Sequence, residues 1–80
     1  MTLTVRHLDR VGVLARVLDL LSLAGLNVEH MENRIFQGGA AAVATIEVAG
    51  DIDAALVESL EGLPDVIHVS AVPIQRTSPQ

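Results

Sequence analysis

Cysteine is absent from this chain. That excludes a disulfide scaffold and any thiolate chemistry, nucleophilic or metal-binding, and fits an expected cytoplasmic location. Aromatic residues are nearly absent too, Phe36 being the single one. Lysine is missing, and five arginines stand against ten acidic residues, a net charge of −5. A nucleic-acid binder needs a basic stripe and usually aromatic stacking platforms. Neither exists here, so nucleic acid is not an expected partner. No apolar run approaches the roughly 20 residues that span a bilayer, and no membrane partner is expected. The opening Met1-Thr2-Leu3-Thr4-Val5-Arg6 goes straight into strand-like alternation, without the charged segment and small-residue cleavage site of a signal peptide. A Gly-x-Gly-x-x-Gly fingerprint is also missing, and no cofactor is expected.

Half of the 80 residues are apolar, chiefly Val, Leu, Ile and Ala. That suits one packed domain containing strands and argues against disorder. A chain this short buries only about 60% of its unfolded surface, so association with a second copy is expected.

Thr2 to Leu8 alternates, with Leu3, Val5 and His7 on one side and Thr4 and Arg6 on the other, which predicts a strand. From Val13 the period becomes helical. Leu14, Val17, Leu18 and Leu21 form a stripe that Val13, Leu20 and Ala24 widen, and Gly25 suits the position just past the helix end. Asn27 to Phe36 predicts a second strand. Val28 and Met31 have opposite parity there, which a β-bulge would reconcile. Gln37-Gly38-Gly39-Ala40 predicts a hairpin turn, and Ala41 to Val48 a third strand with Ala44, Ile46 and Val48 facing one way. A second helix is predicted to open at Gly50-Asp51, with Asp51 as N-cap and a stripe of Ile52, Ala55, Leu56, Ser59, Leu60 and Leu63; Gly62 and Pro64 stop it. The last strand, Val66 to Val72, is expected to place Ile67, Val69 and Ala71 together. Residues 1–73 are expected to form the domain and 74–80 a flexible tail. The order β-α-β-β-α-β with two one-sided helices predicts an α+β, ferredoxin-like sandwich: an antiparallel four-stranded sheet with both helices on one face.

The segment most suited to binding chemistry is His7-Leu8-Asp9-Arg10-Val11-Gly12-Val13-Leu14. It leaves a strand and enters a helix, whose first N–H groups carry partial positive charge and can take a carboxylate. His7 could add a hydrogen bond, and Asp9 would prefer an ammonium group, so a zwitterionic amino acid is a sensible guest. The same residues also have a purely structural reading, in which Asp9 caps the helix and Gly12 permits close packing.

Asp9-Arg10-Val11-Gly12-Val13-Leu14 resembles the Asp-Arg-Pro-Gly-hydrophobic-hydrophobic signature that opens ACT domains, the regulatory modules of amino-acid metabolism. The resemblance runs from about Leu3 to Val72. It includes Ala24-Gly25-Leu26-Asn27-Val28, the Gly-Gly hairpin, and Leu60-Glu61-Gly62-Leu63-Pro64-Asp65-Val66. Within the family the sequence is most similar to the C-terminal domain of D-3-phosphoglycerate dehydrogenase, the first enzyme of serine synthesis. That resemblance implies an effector site for L-serine or a similar amino acid at a dimer interface. His7 and Asp9 would stand at the end of the first strand, Gly12 and Val13 at the helix start, and Asn27 would come from a neighbouring subunit. Val11 departs from the usual Pro, and Asp9 from the expected Asn, placing a negative charge where a ligand carboxylate approaches. The expected partners are therefore an amino-acid effector, a second copy in a homodimer or higher homo-oligomer, and a catalytic domain or enzyme.

The rival expectation is a structural dimerisation module that takes no ligand. Catalysis is the poorest reading, because no nucleophile–base pair is visible. His7, His30 and His68 have no i, i+3 or i, i+4 spacing and no cysteine beside them, so no metal site is expected. Glu29, Glu32, Glu47, Glu58 and Glu61 read as solvated surface charge, and Met31 and Phe36 as core or interface packing.

Overall fold

The computed structural model of the chain describes residues 1–36 and 38–73. Six elements follow in order: β1 (Thr2–Leu8), α1 (Val13–Leu23), β2 (Asn27–Ile35), β3 (Ala41–Ala49), α2 (Ala54–Glu61) and β4 (Val66–Val72). The strands form one sheet ordered β2-β3-β1-β4, with every neighbouring pair antiparallel. This is the ferredoxin-like arrangement that the element order predicts. The predicted tail, residues 74–80, lies outside the described residues.

Alternation decides which side of the sheet is inside. Leu3, Val5 and His7 of β1 are buried, as are Ala42, Ala44, Ile46 and Val48 of β3 and Val69 of β4. Val13, Val17 and Leu21 of α1 and Leu60 of α2 close over them. Removing a Val or Leu side chain fully from water is worth roughly 1.5–3 kcal/mol, so this layer holds the domain together. The other side of the sheet carries Arg6, Glu32, Arg34, Glu47 and His68, and the five Glu residues singled out above are exposed or half-exposed.

The α1 stripe is centred on Val13, Val17 and Leu21 rather than on Leu14 and Leu18, which are half-buried, while Ala24 is exposed. The helix ends as predicted. Gly25 adopts φ +79 just beyond the cap, with Gly25 N–H donating to Ser22 O and Leu26 N–H to Leu21 O at 2.9 and 3.0 Å. These paired bonds satisfy carbonyls that would otherwise be orphaned.

The bulge in β2 is present. Val28 pairs with Val48 and His30 with Glu47, leaving Glu29 as the extra residue. Val28 and Met31 therefore share the helix-facing side despite their opposite parity.

Two predicted details are corrected. The N-cap of α2 is Asp53, not Asp51: Leu56 N–H donates to Asp53 Oδ1 at 2.8 Å, and the helix starts at Ala54. Ile52 is buried just before the cap, and Val57 packs on the same core, the two positions of a hydrophobic staple. The apolar stripe thus runs beyond the helix proper and mimics an earlier start. In β4, a register shift opposite Arg6 and His7 pairs His7 with Val66. Val66 then packs against the core, and Ile67 is left 51% exposed.

Asp53→Ala should cost about 1 kcal/mol of stability, as expected for a lost N-cap, whereas Asp51→Ala should change it by a few tenths at most. Urea unfolding of the two variants distinguishes the caps.

Candidate functional site

The expected site lies where β1 runs into α1. His7 is 2% exposed and, among the described residues, the one buried polar side chain. It sits on the helix-facing side because its parity matches Leu3 and Val5. A buried imidazole must find partners for both ring nitrogens. Nδ1 lies 2.9 Å from Leu8 O, and Nε2 lies 3.1 Å from Oδ1 of Asn33 on β2.

That second bond crosses an entire strand. His7 pairs with Ala42 of β3, and Asn33 pairs with Ala44 of the same strand. Both alanines are fully buried. Their single methyl groups leave the depth through which the ring reaches Asn33, whereas branched residues there would fill it. Asn33 escaped the sequence reading. The signal available was a polar residue sharing a side with Met31 and Ile35, recognisable once the bulge fixes the register.

The turn after β1 is tied down by backbone and charge. Leu8 N–H donates to Asp65 O at 2.8 Å, Asp9 N–H to Ala40 O at 3.2 Å, and Arg10 N–H to Leu8 O at 2.9 Å. The Arg10 guanidinium meets the Asp65 carboxylate at 3.3 Å, largely in solvent, so the pair adds little stability. Asp65 holds φ +67, a costly conformation for a non-glycine residue. It is a structural neighbour that the sequence reading placed only within a junction.

Gly12 opens α1 with φ +88, and no side chain caps the helix. Asp9 is exposed and does not cap it, which corrects the structural reading of that residue. Close packing is not the reason for glycine either, since a Cβ at Gly12 would meet only Arg16 atoms at ordinary distances of 3.8–3.9 Å. The left-handed backbone is the reason. The helix start thus carries partial positive charge, with Val13 N–H donating to Arg10 O at 3.4 Å, Val13 buried and Val11, in the place of Pro, fully exposed.

Asn27 is not brought to His7 within one chain. It pairs with Ala49 at the far end of β3, while His7 pairs with Ala42. Seven residues of strand separate the two, about 23 Å at 3.3 Å per residue. His30 lies 3.3 Å from Glu32 on β2, and His68 lies 3.5 Å from Glu61; with His7 buried elsewhere, the three histidines do not meet. Among the described residues no group of His, Asp and Glu is placed to hold a metal ion.

Two surfaces flank this region. β2 is an edge strand, and Met31, Ile35 and Phe36 are all exposed. They are not core within one chain, which leaves interface packing as the role expected of Met31 and Phe36. On the outer side of the sheet a shallow recess is lined by Glu32, Arg34, Phe36, Val43 and Thr45, on the opposite side from His7.

Residues 1–65, covering both the β1–α1 junction and the β2–β3 hairpin, match the family described as ACT domain. The chain belongs to the ACT domain family. Members of that family are typically ligand-binding regulatory domains. A curated relative, a probable L-serine dehydratase β chain from Bacillus subtilis, is 36% identical over 66 residues. That match covers 82% of this chain but only 30% of the relative, so the chain spans under a third of that protein's length.

Solved structures agree on the ACT fold. An unknown protein from Galdieria sulphuraria superimposes with a TM-score of 0.72 at 28% identity, over 98% of this chain and 46% of that one. The ACT domain of a GTP pyrophosphokinase from Chlorobium tepidum gives 0.66 at 12% identity, over 86% and 91%. Among the described residues no helix of this ACT domain is long and apolar enough to cross a membrane.

Ala44→Leu should overpack the channel between His7 and Asn33. The expected cost is about 1–3 kcal/mol in urea unfolding, with loss of the His7–Asn33 hydrogen bond in the imidazole NMR signals.

Proposed function

We propose that this ACT domain is a sensor for a small amino acid, L-serine or a close analogue, and that it regulates an enzyme of serine metabolism. The observation that carries the reading is the uncapped start of α1 at Gly12, set beside the buried His7 at the end of β1. The helix start suits a carboxylate. Asp9, exposed on the turn between them, suits an ammonium group. Gly12 and Val13 form the helix start against which the ligand would rest, and His7 the wall behind it.

The effector site is completed by a second copy. Asn27 lies about 23 Å from the His7 end in its own chain, at the opposite end of the β2 edge. Joining two β2 edges antiparallel about a two-fold axis near Met31 would bring Asn27 of each copy to the Asn33–Ile35 end of the other. The exposed apolar Met31, Ile35 and Phe36 on that edge favour such an association. A dimer of this kind has two sites, and the effector acts through its different affinities for two interface arrangements.

Two enzymes fit the regulated partner. The β1–α1 signature resembles that of D-3-phosphoglycerate dehydrogenase, and the curated relative is named as a serine dehydratase β chain. Both point to serine: the first opens its synthesis, and the second is named for its dehydration. The second reading is a dimerisation module without a ligand. It is favoured by the exposed carboxylate of Asp9, which opposes a carboxylate guest.

Calorimetric titration with L-serine and then the other amino acids, with the oligomeric state recorded by light scattering, tests the reading. The expected result is a dimer binding one amino acid per chain. A well-folded dimer giving no heat with any of them would leave the ligand-free module. Asn27→Ala is the clean site variant, since Asn27 is exposed. It should weaken binding about tenfold, the loss of a hydrogen bond to a charged group, without shifting Tm. His7→Ala removes a buried side chain with two hydrogen bonds and should destabilise the fold as well, by roughly 2–3 kcal/mol.

A further inference from the structure

The sheet has two edges, and they differ. On β2, Phe36 N–H donates to Ala41 O at 2.9 Å. The pairing is regular from His30 to Ile35, so alternation turns the backbone polar groups of Met31, Asn33 and Ile35 away from β3, toward the open side. β4 is the other edge. There Val69 N–H donates to Glu61 Oε2 at 3.3 Å, not to β1. Val69 therefore turns its backbone polar groups outward, as Ala71 does two residues later. His68, Ser70 and Val72 face Arg6, Thr4 and Thr2 of β1.

β4 is the strand in greater need of cover. Val66-Ile67-His68-Val69-Ser70-Ala71-Val72 is rich in β-branched residues and holds no Asp, Glu, Lys or Arg, a composition suited to pairing with copies of itself. Ile67 and Val72 are exposed along it. The strand is also self-complementary. Laid antiparallel on a second β4 about a two-fold axis at Ser70, Val69 stands opposite Ala71 of the other copy, and each such pair exchanges N–H···O bonds in both directions. Half of those bonds need the N–H of Val69. We infer that the β4 edge is a second self-association surface, fitted to β4 of another copy, and that Glu61 holds it shut by taking that N–H.

The position of the carboxylate carries the argument. Glu61 is the last residue of α2, on the helix side of the sheet. Its Oε2 also lies 3.5 Å from Nδ1 of His68, whose side chain shares the opposite side with Arg6. The carboxylate thus lies across the edge, over the backbone that an incoming strand must reach. α2 itself gains nothing from it, because the last turn of a helix disfavours negative charge. The flanks of the same stretch are closed as well. The register passes from Arg6–His68 to His7–Val66 and leaves Ile67 bulged. Pro73, next after Ala71 in the outward alternation, has no N–H. Among the described residues no side chain covers the backbone of Met31, Asn33 or Ile35 on β2 in this way. One open edge lets association end with a pair of chains, whereas two open edges would continue the sheet from copy to copy.

Light scattering of the full chain over a wide range of concentration tests the closure, with circular dichroism recording that each variant is folded. Glu61 is exposed, so its replacement leaves the core intact. The wild type should keep one mass throughout. Glu61→Ala should grow with concentration to about twice that mass or more. Glu61→Gln keeps an acceptor oxygen and should stay at the wild-type mass. Adding Ile67→Lys to Glu61→Ala puts a charge on the exposed seam and should return the wild-type mass.

A Glu61→Ala chain that keeps the wild-type mass overturns the inference. So does growth that Ile67→Lys leaves untouched, or a Glu61→Gln chain that grows as far as Glu61→Ala. A monomeric wild type would sink the β2 seam proposed above, and the same comparison would still decide this inference, with Glu61→Ala then forming the dimer.

Discussion

A single imidazole buried in an apolar layer has to be satisfied on both nitrogens, and much of the local sequence follows from that requirement. His7 closes the row of inward residues on β1, where the strand leaves the sheet for α1. One nitrogen is met by the carbonyl of the next residue and the other only by a side chain two strands away. The strand between must therefore be thin at that point. It carries Ala42 and Ala44, while farther along, beneath the rest of the helical layer, it carries Ile46 and Val48. An unpartnered ring nitrogen there would cost about 1–3 kcal/mol, a large share of the stability of a domain this small.

The fold was legible because its elements are strongly patterned. Period-two alternation in β1 and β3 reaches the right elements with the right inward faces, and the helical period in α1 reaches the right element with a face turned slightly from the one expected. The Gly25 helix stop and the β2 bulge also follow from sequence. The errors share one cause: a pattern of apolar residues does not say where hydrogen bonding begins. Ile52 belongs to the α2 stripe but precedes the helix, which moved the expected cap from Asp53 to Asp51. Ile67 keeps the parity of Val69 and Ala71, yet a register shift against β1 exposes it. Parity describes one strand, whereas burial is decided by two.

The site was legible in part. Gly12 was picked out from the strand-to-helix signature, although its reason is a left-handed backbone rather than close packing, and His7 stands out because an ionisable residue keeps inward parity. Asn33 did not stand out, since its importance depends on strand order: β3 must lie between β1 and β2 and must be narrow there. Asn27 was picked out from resemblance, and in one chain it stands at the other end of the β2 edge. On the proposed reading a lone chain carries two half-sites, a property that belongs to topology and is invisible to spacing along the sequence.

The extra residue in β2 decides more than a kink. With Glu29 accommodated in the bulge, Met31, Asn33 and Ile35 look toward the helices, and Glu32 and Arg34 look away. If every residue after Val28 paired in regular succession, with no bulge, all later positions would be inverted: Asn33 would leave the imidazole for the opposite surface, and Glu32 and Arg34 would be turned inward. Deleting one residue between Val28 and Met31 has the opposite result, because a regular ladder then places the next residue opposite Glu47 and keeps Met31 opposite Ile46 and Asn33 opposite Ala44. Among relatives of this chain, a sequence one residue shorter there keeps the His–Asn couple on a straight strand, whereas one of the same length needs the bulge to form it.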